Sequence, residues 1–220
     1  MKKKIILTGA GGCMRELLWQ IEEQNKREER WEVLGYVDIS DEYGTVRVGE
    51  KEYPYLGSDD FLLARQKETN VVISAGSSGL RKRIAEKLQK NMYLQFPNLI
   101  LSDTCICSDV QMGKGNIISM DCRISTNVSM GNFVFLNMGA SVCHDGILSD
   151  YVTLSPDVRL AGNVSVGAGS ELGIGARAVQ GIRIGSETVI GAGSMAIRDI
   201  PDACTAVGVP AKIIKQRKEA

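Results

Sequence analysis

The 220-residue chain carries 26 basic and 26 acidic residues, so its net charge is zero, and 44% of it is hydrophobic. That balance excludes an electrostatic case for nucleic acid or for an anionic membrane surface, and the length suits two compact units in one soluble chain. A single histidine, His144, excludes a metal site built from several imidazoles.

The basic start, Met1 to Lys4, is followed by an apolar stretch far too short for a signal-peptide core or a membrane span, which predicts a cytoplasmic protein. Residues 4–8 read as a buried strand and Gly9, Ala10, Gly11 and Gly12 as a tight turn. Residues 14–27 then read as a helix with Leu17, Leu18 and Ile21 on its apolar side. A second strand, 33–37, ends at Asp38; a helix is expected over 59–65, a third buried strand over 71–75, and a helix over 79–89 after Gly76, Ser77 and Ser78. Phe96 and Pro97 break the pattern, so an α/β domain of Rossmann-like kind is expected over 1–98 and a second domain over 99–220.

A glycine turn between a first strand and helix puts main-chain N–H groups and the positive helix end where a phosphate can sit. Asp38, at the tip of the second strand, can accept hydrogen bonds from a ribose or a base N–H. The same glycines would equally serve to let the helix pack close to the sheet. A dinucleotide fingerprint would place glycine at position 14, which is Met14, so the turn disfavours NAD without naming the ligand.

From Ile100 an apolar residue recurs every six positions: Ile106, Met112, Ile118, Ile124, Met130, Leu136, Val142, Leu148, Leu154, Leu160, Val166, Leu172, Ala178, Ile184, Ile190 and Ala196. Glycine follows it at Gly113, Gly131, Gly167, Gly173, Gly185 and Gly191, and a small or branched residue lies four places on, as at Val128, Ala140, Val152 and Val164. A period of six matches neither an α-helix nor an amphipathic strand, but it suits a solenoid of short strands and tight turns. Three repeats would complete one triangular coil, giving about five to six coils at ~4.8 Å spacing with the apolar columns inward. The six cysteines, Cys13, Cys105, Cys107, Cys122, Cys143 and Cys204, show no metal-ligand spacing beyond the close pair Cys105 and Cys107, and most are expected to be small buried residues of a reduced protein.

The hexads resemble those of the hexapeptide-repeat acyltransferases, which implies an all-β C-terminal domain folded as a left-handed parallel β-helix. A short Rossmann-like domain opening on Gly-Ala-Gly-Gly before such a β-helix, with His144 followed by Asp145, resembles the sugar-nucleotide acetyltransferases of bacterial glycan synthesis. That family groups around sialic acid O-acetyltransferase and the bacillosamine and perosamine N-acetyltransferases. The resemblance implies that His144 is the base and Asp145 its partner, with Asn137 near the sugar and the Gly162 N–H facing the thioester carbonyl. It also implies an acetyl-CoA site at Ile174, Ala192, Gly208 and Lys212, and a nucleotide-sugar site at Gly9, Gly11, Gly12, Asp38, Gly76 and Ser77. A homotrimer with sites between subunits and no metal follows from it as well. Departures from the family pattern fall at Cys13, where relatives often carry histidine, at Ile39, where an acid often follows Asp38, and at Thr153, where some have a second histidine.

The chemistry expected is direct attack of a deprotonated sugar amine on the thioester, assisted by an imidazole. Side chains of neighbouring residues on an extended strand diverge, so the partner of His144 could come from elsewhere than Asp145, and an acyl-cysteine at Cys143 is disfavoured for the same reason. O-acetylation of a sugar hydroxyl and a non-catalytic trimer that binds a nucleotide-linked metabolite are the alternatives. A γ-type carbonic anhydrase fails for want of histidines, and a sugar-nucleotide pyrophosphorylase for want of its long N-terminal domain. The basic tail, Lys212, Lys215, Arg217 and Lys218, would meet CoA phosphates or be solvated.

Overall fold

A computed structural model describes residues 2–217, so Met1 and Lys218 of the two basic termini lie outside the described residues. The first half runs β1 (Lys3–Thr8), α1 (Gly12–Arg27), β2 (Trp31–Val37), β3 (Val46–Val48), β4 (Lys51–Tyr53), α2 (Asp59–Leu63), β5 (Thr69–Ile73), α3 (Ser78–Leu88) and β6 (Leu94–Gln95). Four of these strands make a parallel sheet in the order β2-β1-β5-β6. The antiparallel hairpin β3–β4 has no counterpart in the sequence reading. Strand β5 ends at Ile73, two residues before the expected limit, which leaves Ser74, Ala75 and Gly76 to form the turn into α3.

Helix α1 forms because Met14, Leu17, Leu18 and Ile21 recur on one face, all buried against Ile5 and Leu7 of β1. Each such side chain contributes on the order of 1.5–3 kcal/mol when fully buried. Lys26 and Arg27 complement the dipole in its last turn. Two buried glutamines extend the stripe: Gln20 Oε1 accepts from the Met120 N–H (2.9 Å) and Gln24 Nε2 donates to Ile100 O (3.2 Å). The helix therefore faces the sheet with its apolar residues and the solenoid with its amides.

From Leu99–Ile100 to Met195–Ala196 the chain makes two-residue strands at six-residue intervals. Each pairs in parallel with the strand three hexads on; Phe135 stands opposite Thr153 and Leu136 opposite Leu154. The result is a triangular prism with three ladder faces. The hexad residues from Ile118 onward are buried, together with Val128, Val134, Ala140, Val152, Val158, Val164 and Ala176. Ile100, Ile106 and Met112 are only half-buried because the first coil has no coil beneath it. At the corners the second turn residue adopts a left-handed backbone, as at Asn127 (φ 55°), Asp145 (59°) and Asn163 (57°), residue types that tolerate it. Strand Cys204–Val207 extends one face, and Lys212–Gln216 pairs antiparallel to it as an exposed edge.

The first half covers one face of the prism, the one containing Phe135–Leu136, Thr153–Leu154 and Glu171–Leu172. Arg81, from the first turn of α3, is fully buried there. Its guanidinium donates to Phe133 O (2.8 Å), Ala75 O (2.8 Å), Gly76 O (3.0 Å), Tyr151 O (2.9 Å), Val152 O (3.2 Å) and Thr153 Oγ1 (2.8 Å). Thr153 in turn donates to Gly76 O (3.1 Å). Glu171 accepts from the Ser78 N–H (2.7 Å) and so caps α3 from the solenoid.

The cysteines depart from expectation. Only Cys122 and Cys204 are buried; Cys105, Cys107 and Cys143 are exposed, because they sit beside the inward hexad residue and point out of the prism. Among the described residues no helix is long and apolar enough to cross a membrane.

Candidate active site

A cleft of about 350 Å³ opens at the carboxyl ends of β1, β2 and β5. It brings together Gly9, Gly11, Gly12, Asp38 and Gly76 from the sequence reading, along with Cys13, Ile39, Thr8, Asp59, Ser74, Leu80 and Ile84. Helix α1 begins here with Gly11 as its N-cap, without a side-chain cap and without an acid in its first turn, so its N–H groups and positive end are open to an anion. A Cβ built on Gly11 or Gly12 would meet nothing within 4 Å, so these glycines leave room for a ligand and are not demanded by packing. Asp38 and Asp59 are the charged groups of the lining, which suits N–H and hydroxyl donors of a base or sugar better than a bare phosphate. Burial pushes the Cys13 thiol up to about 11, with Glu16 adding to the shift and Arg81 opposing it. Cys13 thus stays neutral beside the anion site.

Ser77 does not join the cleft. Its hydroxyl turns toward Glu171 Oε1 (3.3 Å), the same carboxylate that caps α3, so that helix end is occupied by the protein's own acid. Ala75 and Gly76 remain in the wall, their carbonyls drawn back by Arg81. Arg81 was hidden in the sequence because Arg81, Lys82 and Arg83 read as one charged run. Its signal was its place on the same helical face as Ala85 and Leu88, which are buried with it.

His144 occupies the corner between the other two faces of the prism, after strand Ser141–Val142 and before Ile147–Leu148. Its side chain is 48% exposed, and Nδ1 lies 2.7 Å from Oδ2 of Asp145. The left-handed backbone at Asp145 turns its carboxylate back to the imidazole, so the divergence expected of an extended strand does not apply. Hydrogen bonds, from Asn127 first and His144 second, hold the Asp145 carboxyl below the usual carboxylate range. The ionised partner fixes the proton on Nδ1 and leaves Nε2 as the acceptor. Gly162 lies one coil on, directly against the ring: a Cβ there would overlap Cε1 and Nε2 and come within 2.9 Å of Nδ1. The Gly162 N–H has no partner among the described residues, while the adjacent Asn163 N–H donates to His144 O (2.9 Å).

Asn137 is not beside the imidazole; it ends a strand of the covered face, and its Oδ1 accepts from the Met138 N–H (2.7 Å). Ile174, Ala192 and Gly208 are exposed along a different edge of the prism from His144, and Lys212 starts the exposed edge strand. Gly162 alone of the expected acetyl-CoA residues adjoins the histidine. Cleft and histidine also lie on opposite sides of the prism. A hexad side spans at most ~20 Å, so a prism thickness on the order of 15 Å of packed core separates them within one chain.

Comparisons with known proteins bear on the fold and the family. Residues 4–88 match the model of the PglD N-terminal domain. The perosamine acetyltransferase PerB from Caulobacter crescentus, solved with CoA and GDP-perosamine, superposes with a TM-score of 0.85 at 30% identity, over 97% of this chain and 98% of that one. The acetyltransferase domain of PglB from Neisseria gonorrhoeae, solved with acetyl coenzyme A, gives 0.85 at 26% identity over 97% and 100%. GDP-perosamine N-acetyltransferase of Escherichia coli O157:H7 is 28% identical, covering 94% of this chain and 95% of its own length. The architecture is that of a left-handed β-helix acyltransferase carrying an N-terminal parallel-sheet domain. The chain belongs to the sugar-nucleotide acetyltransferase family and is an acyltransferase.

Proposed function

We propose that this protein transfers the acetyl group of acetyl-CoA to an amino group of a nucleotide-linked amino sugar, with His144 as general base. The observation that carries the reading is the pairing of the chain's only imidazole with an ionised carboxylate at an exposed corner seated on Gly162. The Caulobacter enzyme, which has been solved with its amino-sugar nucleotide, has also been solved with a histidine replaced by alanine and by asparagine. In the reaction the amine nitrogen bonds to the acetyl carbon, Nε2 takes the amine proton, and the C–S bond breaks as the proton passes to the departing thiolate. The free Gly162 N–H would meet the oxyanion. Gly9, Gly11, Gly12 and Asp38 would hold the nucleotide, Gly76 would shape the wall, and Asn137 would approach the sugar. Ile174, Ala192, Gly208 and Lys212 would line the CoA path.

The opposed positions of cleft and histidine argue for a homotrimer in which one subunit's His144 corner meets the cleft side of its neighbour. Turnover of His144→Ala should fall by about 10²- to 10⁴-fold, read as thiol release with amino-sugar nucleotides, while acetyl-CoA still binds. Mixing it with a cleft variant such as Gly11→Val should restore part of the activity, because mixed trimers contain sites intact in both parts. A His144→Ala enzyme retaining a third of wild-type turnover refutes the base; mixtures no better than the separate variants refute the shared site.

A further inference from the structure

The catalytic corner continues below the histidine through two more coils. Asp145 Oδ2 faces His144 Nδ1, and its other oxygen, Oδ1, accepts from Asn127 Nδ2 at 2.6 Å. Asn127 stands at the equivalent corner of the preceding coil, also with a left-handed backbone (φ 55°). Its own N–H donates to Asp109 Oδ2 (3.1 Å), and so does the hydroxyl of Thr126 (2.5 Å). The corner backbone is tied as well, the Asp145 N–H donating to Thr126 O (3.1 Å). Hydrogen bonding from Thr126, then Cys107, keeps Asp109 below the usual carboxylate range.

Resting on the reading of His144 as base, we infer that Asn127, anchored by Asp109, is a positioning residue: it clamps the far oxygen of Asp145 so that the near oxygen holds the Nδ1–H tautomer of His144. A carboxylate with one oxygen engaged rotates about its Cβ–Cγ bond; one gripped at both oxygens keeps its plane. Within one chain this corner is exposed, so no intrachain burial holds Asp145 in place and hydrogen bonds must do it. Asn127 fits because an amide donates to a carboxylate without adding charge, and because asparagine accepts the left-handed turn. The three-hexad coil stacks these turns directly over one another, so a single side chain spans from one coil to the next.

The chain's single histidine makes the test clean, since its ¹⁵N imidazole signals need no assignment. Asn127→Gly keeps the left-handed turn and removes the amide; Asn127→Asp keeps the shape and replaces the donor with a charge that repels Asp145. Both should shift neutral His144 from the Nδ1–H toward the Nε2–H tautomer that free histidine favours, in the enzyme without substrates. Both should lower kcat about 10-fold or more with KM for either substrate changed less than twofold, and Asp109→Asn should give a smaller loss of the same kind. An Asn127→Gly enzyme that keeps Nδ1–H, or whose kcat stays within twofold of wild type, overturns the clamp. If instead His144 is not the base, His144→Ala itself keeps its turnover, so the two failures are told apart.

Discussion

The imidazole of His144 rests on the bare Cα of Gly162, the residue that follows Ala161 one coil further along the solenoid. Any side chain at Gly162 would overlap the ring, so the histidine's place is set by the missing Cβ as much as by Asp145. Gly162→Ala should lower kcat by about 10²-fold, the scale expected when a catalytic group moves by ~1 Å. Melting temperature should hold, because the ring is half-exposed and can swing outward. Steady-state kinetics beside a thermal melt checks this; unchanged kcat would mean the ring tolerates a shifted seat.

Arg81 makes the stability prediction. Arg81→Met would leave several buried carbonyls and the Thr153 hydroxyl without their donor, and unsatisfied buried acceptors cost on the order of 1–3 kcal/mol each. A loss of at least ~3 kcal/mol is expected, or roughly 10 °C in melting temperature for a chain of this length. Arg81→Lys should recover little, since one ammonium cannot span Phe133 O, Gly76 O and Tyr151 O as the planar fork does. Ala75 and Gly76 belong to the cleft wall, so KM for the nucleotide sugar should rise even where the variant folds. Calorimetric melts and kinetics of both variants decide it.

Much of this was legible in the amino-acid sequence, and what was not has physical causes. The apolar columns from Ile100 to Ala196 are a property of spacing alone, so the prism and its inward residues could be read without coordinates. The His144–Asp145 contact followed from the family resemblance and not from spacing, because it depends on a left-handed φ that composition permits at Asp145 but does not announce. Arg81 stands in a run of three cations and takes carbonyls of Phe133, Tyr151 and Val152 from the far half of the chain, so its only local signal is the helical face it shares with Ala85 and Leu88. A helix start after a serine-rich turn looks open in sequence, while at Ser77 and Ser78 the cap, Glu171, comes from the solenoid. The hairpin β3–β4 went unseen among polar residues, its strands being three residues each.

Alkaline pH should loosen the fold through two desolvated thiols, the half-buried Cys13 and the buried Cys122. Cys13 rises from 9.0 to about 11 and Cys122 from 9.0 to about 12, both chiefly by desolvation. The folded values lie above the unfolded ones, so this stabilising contribution is full below about pH 9 and is lost as pH climbs through the folded values, where the unfolded chain ionises first. Melting temperature should fall more steeply above pH 9 in the wild type than in Cys13→Ala. Parallel slopes for the two proteins between pH 8.5 and 10.5 would remove Cys13 from the account.

Gly11 offers the sharpest separation of fold from function in the first half of the chain. It caps α1 with φ −71° and ψ −176°, an extended conformation open to any residue, and a Cβ there meets no atom within 4 Å. Gly11→Val should therefore fold normally, with a melting temperature within a few degrees of wild type. Its branched side chain would nevertheless stand in the cleft at the helix end where an anion would sit. KM for the nucleotide sugar should rise at least about 10-fold, a loss of ~1.4 kcal/mol in binding. Acetyl-CoA affinity, measured by titration calorimetry, should stay within twofold, because the path proposed for it runs along the solenoid. Micromolar NAD binding to the wild type, or loss of acetyl-CoA affinity in the variant, would return this cleft to a dinucleotide or CoA role.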